Sequence, residues 1–300
     1  MDLNYAPDVV FPHLGLVVRH LPRSFDVFGF PVYFYGATMA LGMLGGLLVA
    51  QALMRRDGEK ADLMFDFALW GVVFGLLGAR AYYVIFSWDS YKNNLLNIFN
   101  LREGGLAVFG AVLGGALAML VFTRRRKLSF FYLADYAVCG LLVGQIVGRW
   151  GNFFNAEAFG GYTDGLPAMQ IRRAVVSPGM ISPSLEAAMT AHPVLYAGEA
   201  YVQVHPTFFY EGLWNFALLL ALLFWRRRKV FTGEIMFAYF AGEGLGRFWI
   251  EGLRTDQLLI PFVQAPVSQV LSVVFFGLGV FGLLRGRRKE RARERFDSAG

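Results

Sequence analysis

Four charged side chains recur along one apolar stretch in the last third of the chain. Glu243, Arg247, Glu251 and Arg254 follow one another at spacings of four, four and three residues, which places them on one face of a helix. Charged groups within apolar segments are unfavourable and usually mark function. Because a guanidinium group binds phosphate through a planar fork and stays charged, this face predicts an anion site. The alternative is a ladder of ion pairs that only joins helices.

A second arginine stands at the end of another apolar stretch. Arg149 is followed by Asn152, Asn155 and Glu157, whose side chains can donate or accept hydrogen bonds. Arg149 and Arg247 lie on different apolar segments, and two such groups at equal depth could bind one lipid phosphate from two directions. We therefore predict that these two arginines form the anion site.

The composition places these residues in a membrane protein. Of the 300 residues, 56% are hydrophobic and only 17% are charged, a balance that excludes an ordinary soluble domain. A spanning helix needs about 20 mostly apolar residues, and seven segments meet that requirement. The predicted spans are 32–54, 63–86, 104–122, 130–148, 207–225, 234–250 and 264–284. Pairs of glycines four residues apart in several spans indicate close helix packing.

Lysine and arginine are distributed unevenly between the loops. Of the 28 such residues, 18 lie in the first, third and fifth loops and in the C-terminal tail. Because positively charged loops stay in the cytoplasm, the N-terminus is predicted outside and the C-terminus inside. The same distribution accounts for the net charge of +6, so no nucleic-acid partner is predicted. The predicted fold class is an all-α polytopic membrane protein of seven transmembrane helices.

These spans divide the chain into five segments. An extracytoplasmic arm covers residues 1–31, the first four spans cover 32–155, and a small extracytoplasmic cap between the fourth and fifth helices covers 156–204. The last three spans cover 205–284, and a basic cytoplasmic tail covers 285–300. The sequence leaves the fold of the cap open.

The unusual polar residues gather at the outer ends of the predicted spans. They are Tyr35, Arg80, Arg149, His205, Glu211, Glu243 and Arg247. The inner halves hold few such residues, which disfavours a transporter or channel, whose path needs polar groups through the whole membrane. Arg80 could reach the interface or pair with a carboxylate. His205 and Tyr35 also have ordinary interpretations, as a capping histidine and an interfacial aromatic residue.

Several other kinds of site are not indicated. The chain has one cysteine, Cys139, inside an apolar run, so a reactive thiol would come from a partner. The histidines lack metal-ligand spacing, and HExxH, CxxC, GxSxG and glycine-rich phosphate-binding motifs are absent. No metal, nucleotide or other cofactor is predicted.

The stretch 148–157 reads GRWGNFFNAE, is followed by Gly160, and resembles the signature of bacterial prolipoprotein diacylglyceryl transferases. Four further strings are similar to that family: PVYFYG at 31–36, REGGL at 102–106, HPT at 205–207 with Tyr210 and Glu211, and GRF at 246–248 with Glu251 and Arg254. The resemblance covers residues 30 to 284, and the family has the seven-span form with the N-terminus outside.

The resemblance implies an enzyme of the bacterial inner membrane. Such enzymes transfer the diacylglyceryl group of phosphatidylglycerol to the lipobox cysteine of preprolipoproteins, forming a thioether and releasing glycerol phosphate. The implied catalytic residues are Arg149, Arg247 and Glu251, the last as a base or as an orienter of Arg247. The implied substrate-binding residues are Tyr35, Asn152, Asn155, Glu157, Gly160, His205 and Arg254. The implied partners are phosphatidylglycerol, lipobox peptides and membrane lipids.

Two positions depart from the family's pattern. Phe109 stands where many members carry a histidine soon after the Glu-Gly-Gly string, and Glu243 stands where a tyrosine is expected. Phenylalanine can neither accept a proton nor bind a phosphate. An extra carboxylate could change the pairing of Arg247. An alternative function is therefore a non-catalytic or divergent phospholipid-binding relative of that family.

Overall fold

The protein is mostly helical in the residues that the computed structural model describes, which are 5–100, 104–255, 257–260 and 265–297. Its α-helices there are α1 (Phe34–Arg56), α2 (Asp62–Phe86), α3 (Val108–Arg125), α4 (Phe130–Phe154), α5 (Pro183–Ala191), α6 (Thr207–Trp225), α7 (Glu234–Glu251) and α8 (Val267–Asp297). Arg102 and Glu103, which the sequence places at the start of the third span, lie outside the described residues.

Six helices are long and apolar enough to cross a membrane, namely α1, α2, α3, α4, α6 and α8. The prediction of a polytopic membrane protein is therefore confirmed, whereas the predicted all-α class is only partly correct, because the described residues also form β-strands. Helix α7 coincides with the sixth predicted span but carries four charged residues, Glu234, Glu243, Arg247 and Glu251. By composition these charges separate α7 from the other six.

The chain folds as two compact units, one of residues 1–46 and 141–300 and the other of residues 47–140. In the second unit, α2 and α3 pack through the predicted glycines. A Cβ atom added to Gly78 would lie 3.0 Å from the Cα of Gly114 and even closer to the carbonyl oxygen of Gly110. The two backbones are in direct contact, which only glycine permits at these positions.

Arg80 in this second unit is buried and has neither of the two roles expected for it. Its guanidinium group donates five hydrogen bonds to backbone carbonyls of the segment between α2 and α3, at 2.6–3.0 Å. The accepting residues are Asn97, Ile98, Asn100, Gly104 and Gly105. All five donors of the group are used, so Arg80 holds this segment in place rather than binding a carboxylate.

The first unit contains a five-stranded antiparallel sheet that the sequence did not predict. Its strands are β1 (Val9–Phe11), β2 (Leu16–Val18), β5 (Met169–Arg172), β6 (Val194–Tyr196) and β7 (Glu199–Val204), in the order β2-β1-β5-β7-β6. A separate hairpin of β3 (Ser24–Val27) and β4 (Phe30–Tyr33) precedes α1 directly. The sheet therefore joins two segments that lie about 160 residues apart in the chain, since Val9 pairs with Ile171.

A buried carboxylate fastens the N-terminal strands to the rest of the sheet. Asp8 is 2% exposed and accepts hydrogen bonds from the backbone N–H of Leu21 at 2.7 Å and from Arg172 at 2.6 Å. Beneath the sheet lies an apolar core that includes Ile171 and Phe208. Because Phe208 belongs to the first turn of α6, this core connects the sheet to the helix end where the candidate site lies.

Glycines also bring the helices of the first unit close together. A Cβ atom on Gly42 of α1 would lie 3.0 Å from the carbonyl oxygen of Gly144 in α4. A Cβ atom on Gly244 of α7 would lie 2.5 Å from the carbonyl oxygen of Ser272 in α8. These contacts set the spacing of α1, α4, α7 and α8 and therefore the positions of the side chains near their ends.

Candidate active site

One carboxylate, that of Glu211 in the second turn of α6, lies at the centre of the candidate site. Its residue is 5% exposed. Arg149 Nη2 forms an ion pair with Glu211 Oε2, and Arg247 Nη1 lies 3.6 Å from the same oxygen. Arg254 Nη1 lies 3.7 Å from Glu211 Oε1. Three arginines from separate parts of the chain thus surround a single acidic group.

The elements that carry these arginines explain why they converge. Helix α4 continues to Phe154, six residues beyond the predicted end of the fourth span, so Arg149 lies within its last two turns. Arg247 and Glu251 are one turn apart on α7, with Arg247 Nη2 3.7 Å from Glu251 Oε2. Arg254 follows in the turn after α7, where its N–H donates to the Glu251 carbonyl at 3.1 Å.

The predicted pair, Arg149 and Arg247, therefore does meet, but around a protein carboxylate. Arg149 is the more firmly held, because its ion pair with Glu211 is short and its side chain is only 18% exposed. Arg247 contacts Glu211 and Glu251 at distances longer than a hydrogen bond, and its side chain is 34% exposed. Arg247 is thus better placed to exchange its carboxylate contacts for those of an incoming anion.

The sequence marks Glu211 as an unusual polar residue but does not predict it as a member of the site. One feature of the sequence could have identified it, because Glu211 is an acidic residue near the outer end of a predicted span, where such residues usually mark function. What the sequence lacked was the pairing, because α4, α6 and α7 contribute residues that are far apart in the chain. The alternative interpretation of the α7 face, a ladder of ion pairs, is also supported in part, because Arg247 lies near Glu251.

Asn152, Asn155 and Glu157 form a second polar group just after Arg149. The side-chain amides of Asn152 and Asn155 donate to Glu157 Oε1 at 3.0 and 3.4 Å. The backbone supports this arrangement, because the N–H of Glu157 donates to the Asn152 carbonyl at 3.1 Å. Two amides thus orient one carboxylate.

Gly160 joins three segments of the site through its backbone. Its N–H donates to the His205 carbonyl at 2.9 Å, and it forms a bridge with Arg254. A Cβ atom on Gly160 would lie 2.7 Å from the Leu253 carbonyl oxygen and 2.8 Å from His205 Cβ. Glycine is required here because the chain before α6 and the chain after α7 both approach it closely.

His205 and Tyr35 lie at the starts of their helices. His205 Nδ1 is 3.1 Å from the hydroxyl of Tyr210, one turn into α6. Burial lowers the pKa of the His205 imidazole below its ordinary value, so this side chain is neutral at neutral pH. Tyr35 is 36% exposed. Gly151 of α4 packs against it, because a Cβ atom on Gly151 would lie 2.9 Å from Tyr35 Cδ2.

Glu243, one of the two departures from the family's pattern, lies one turn before Arg247 and is 8% exposed. Gln145 Nε2 donates to Glu243 Oε1 at 3.2 Å and to the Tyr239 hydroxyl at the same distance. Within the described residues, the second carboxylate oxygen of Glu243 has no hydrogen-bond partner. Glu243 interacts electrostatically with Arg149 and Arg247, so this additional acidic residue belongs to the arginine cluster.

The other departure, Phe109, lies on α3 in the second unit. Its ring is 40% exposed and lies 6.4 Å from the ring of Tyr82, measured between centroids. An aromatic contact of this kind is a packing contact and involves no proton transfer.

The arrangement can bind an anion and stabilise negative charge that forms on it. Three guanidinium groups converge on Glu211, which is 5% exposed, and electrostatic interactions at such a buried group are stronger than in bulk solvent. Glu211 and Glu251 lie near these arginines and offset part of their mutual repulsion. A phosphate group that enters must compete with these carboxylates for the arginines.

Comparison with known proteins gives a consistent result along nearly the whole chain. A family model described as prolipoprotein diacylglyceryl transferase matches residues 22–285. A Synechocystis protein named phosphatidylglycerol–prolipoprotein diacylglyceryl transferase is 39% identical over 269 residues, covering 88% of each chain. Proteins of the same name from Clostridioides difficile and Bacillus mycoides are each 37% identical, over 84% and 89% of this chain and over 90% and 92% of their own lengths.

Proposed function

The chain is a transferase that belongs to the prolipoprotein diacylglyceryl transferase family, and we propose that it moves the diacylglyceryl group of phosphatidylglycerol onto a cysteine thiol. The acceptor is the lipobox cysteine of a preprolipoprotein, and the products are a thioether-linked lipoprotein precursor and glycerol phosphate. The observation that carries this proposal is the convergence of Arg149, Arg247 and Arg254 on Glu211. An anionic lipid head group requires a preorganised set of cations of this kind.

Between heavy atoms, the reaction forms one C–S bond and breaks one C–O bond. The thiol sulfur attacks the glyceryl carbon that carries the phosphate, a C–S bond forms, and the C–O bond to the phosphate breaks with its electron pair on oxygen. Negative charge therefore grows on the departing glycerol phosphate, and cations that contact it stabilise the transition state more than the ground state. Arg149 and Arg247 are the proposed source of that stabilisation.

The thiol must also lose its proton, since the thiolate is the nucleophile. Glu251 is the proposed catalytic carboxylate, as the base or as the group that orients Arg247. Its Oε2 atom lies 3.7 Å from Arg247 Nη2 and makes no hydrogen bond within the described residues. The same proton can later protonate the glycerol phosphate that leaves, so the overall reaction conserves charge.

The remaining sequence-predicted residues have roles in binding substrate. Asn152, Asn155 and Glu157 form a hydrogen-bonding group directly after Arg149 and suit the hydroxyl-bearing head group. Tyr35 and His205 stand at the starts of α1 and α6. Gly160 and Arg254 complete the set, with Gly160 allowing the close approach of the chain and Arg254 contributing a third positive charge.

We propose seven spans, with the N-terminus outside and the active site in the outer leaflet of a bacterial inner membrane. Helix α7 is the additional span. Its charged residues Glu243, Arg247 and Glu251 are paired within the protein, so they need not face lipid. Its glycines pack directly against α6 and α8, which supports a central position in the first unit. Residues 1–31 and 156–204, which supply the sheet, then form the extracytoplasmic arm and cap.

The test is a transfer reaction with the purified full chain. The protein is incorporated into vesicles that contain phosphatidylglycerol and is mixed with a lipobox peptide, and the peptide's mass gain by one diacylglyceryl group is followed. We expect a thioether product that forms in these vesicles but not in vesicles of phosphatidylcholine alone. A peptide with serine in place of the lipobox cysteine is the control. Absence of product from a folded protein under all these conditions would contradict the proposed activity.

A further inference from the structure

The β3–β4 hairpin that leads into α1 has one apolar face. In its register Val27 pairs with Phe30 and Phe25 pairs with Val32, while Asp26 pairs with Pro31. Directly paired residues point to the same side of a hairpin and successive residues alternate. One face therefore carries Phe25, Val27, Phe30 and Val32, and the other carries Ser24, Asp26, Pro31 and Tyr33.

The tip of this hairpin is exposed, and so are three of the four apolar side chains on this face, those of Phe25, Val27 and Phe30, whereas Val32 is partly buried. Phe28, the first residue of the two-residue turn, is 99% exposed, and Phe30 beside it is 75% exposed. Phe28 also has a positive φ of 50°, followed by Gly29 with a φ of 83°. Asparagine or glycine normally occupies such a turn, because a bulky side chain is strained there. In water an aromatic residue at this position has two costs, because its backbone conformation is strained and its apolar ring is hydrated.

The base of the hairpin is held at the start of α1. Strand β4 ends at Tyr33 and α1 begins at Phe34, with no residue between them. The N–H of Phe34 donates to the Arg23 carbonyl at 2.9 Å, so both strands of the hairpin return to this point. The Phe34 ring stacks on Phe154 at the end of α4, with centroids 4.6 Å apart. The hairpin thus starts where two membrane-spanning helices end.

The apolar face is joined to α1 through Phe25, whose ring lies 5.1 Å from that of Phe34, measured between centroids. Leu41 follows Phe34 by about two helical turns and therefore lies on the same side of α1. Leu41 and Leu44, in its second and third turns, are 62% and 53% exposed, as expected for residues that face lipid. A four-residue strand is about 13 Å long, so the tip stays within reach of the lipid boundary at which α1 begins. From this continuity we propose that the β3–β4 hairpin inserts Phe28 and Phe30 into the bilayer leaflet at the N-terminal end of α1. Its partner is the phospholipid surface itself.

Insertion explains why phenylalanine is present at a strained, exposed turn. Transfer of both aromatic rings out of water offsets the strain at Phe28, and the polar face with Ser24 and Asp26 stays towards solvent. The inference depends on the membrane-spanning character of α1 and not on the proposed reaction. It assigns the hairpin as an anchor that fixes the outer end of α1, and therefore Tyr35, relative to the lipid.

The single cysteine of the chain makes a labelling experiment direct. Cys139 is fully buried and can be replaced by alanine, which leaves a background without thiols. An environment-sensitive fluorophore is then attached at Phe28→Cys or Phe30→Cys, with Asp26→Cys on the opposite face as the matched control. The full chain is placed in vesicles of phosphatidylcholine and phosphatidylglycerol, and no lipobox peptide is added. Nitroxide-bearing acyl chains and aqueous iodide serve as the two quenchers.

We expect several-fold stronger quenching by the nitroxide lipids at positions 28 and 30 than at position 26, with the reverse order for iodide. In the Phe30→Cys protein, the additional change Phe28→Asn relieves the turn strain and removes the tip ring. Lipid quenching at position 30 should then fall while the melting temperature is kept. Equal access of iodide to positions 26, 28 and 30 would overturn the proposal, because the tip would then lie in water. Since no transfer activity is measured, this result is independent of the test of the enzymatic reaction.

Discussion

Replacement of Arg247 by alanine separates catalysis from stability more clearly than any other change in the arginine cluster. Its guanidinium lies 3.6 Å from Glu211 and 3.7 Å from Glu251. At an effective dielectric constant of about 20, each pair corresponds to a gross attraction of about 4–5 kcal/mol. The side chain is 34% exposed, however, and solvent reduces the net value of such a pair to about 0–1 kcal/mol.

The structure therefore predicts a small loss of stability and a large loss of activity for Arg247→Ala. Two weak pairs give a decrease of about 0–2 kcal/mol in the free energy of unfolding. Loss of one preorganised donor to the developing phosphate charge lowers the rate by about 10²–10³-fold, or about 2.7–4 kcal/mol. Arg247→Lys keeps the charge but loses the planar fork, so its rate should lie between those of alanine and wild type.

The assay is the vesicle transfer reaction, with thermal melting measured on the same preparations. Arg149→Ala is the informative comparison, because Arg149 forms the short ion pair with Glu211 and its loss should reduce both activity and melting temperature. Arg173→Ala in an exposed pair with Glu186 is the control and should change neither. The reasoning is refuted if Arg247→Ala retains full transfer activity, or if its activity falls only in proportion to a loss of folded protein.

Three further predictions concern residues around the site and in the second unit. Arg80→Leu removes five hydrogen bonds made by one buried side chain, so its melting temperature in detergent should fall, at about 0.5–1.5 kcal/mol per hydrogen bond lost. An unchanged melting curve would exclude this role. Gly160→Ala introduces a clash with the Leu253 carbonyl, so it should lower the free energy of unfolding by about 1–3 kcal/mol and also reduce the transfer rate. Wild-type stability together with a wild-type transfer rate would contradict the close approach. The lowered pKa of His205 means that it stabilises the fold fully above pH 6.5 and that this contribution is lost as the pH falls through the folded-state pKa. Melting temperature measured against pH should show this decline, and His205→Asn should remove it.

Much of the fold follows from local sequence. Apolar runs of about 20 residues identify membrane helices without reference to the rest of the chain, because each helix satisfies its own backbone hydrogen bonds. Helix ends are less well determined. The fourth span was predicted to end at residue 148, but α4 continues to Phe154, and this extension places Arg149 and Asn152 on the helix. The sheet could not be predicted, because its pairing of Val9 with Ile171 depends on contacts between distant short segments.

The candidate site shows the same division. Spacing along a single helix placed Arg247 and Glu251 together, and arginines in or directly after apolar spans predicted a site at Arg149 and Arg247, which the structure places near one carboxylate. For Arg80 the same sign was misleading, since its five donors bind backbone carbonyls. Sequence alone cannot tell these cases apart, because the partner of a buried arginine is chosen by the segment that folds over it.

By itself, the sequence determined the membrane class, the positions of the helices and the residue types able to bind an anionic head group. These properties are local, since hydrophobicity, charge and helical spacing act over a few turns. Only the tertiary structure decided that Glu211 is the common partner of Arg149, Arg247 and Arg254. That decision depends on the packing of distant helices, in which glycines of α7 contact α6 and glycines of α4 contact α1, and such long-range contacts are set by how whole helices fit together.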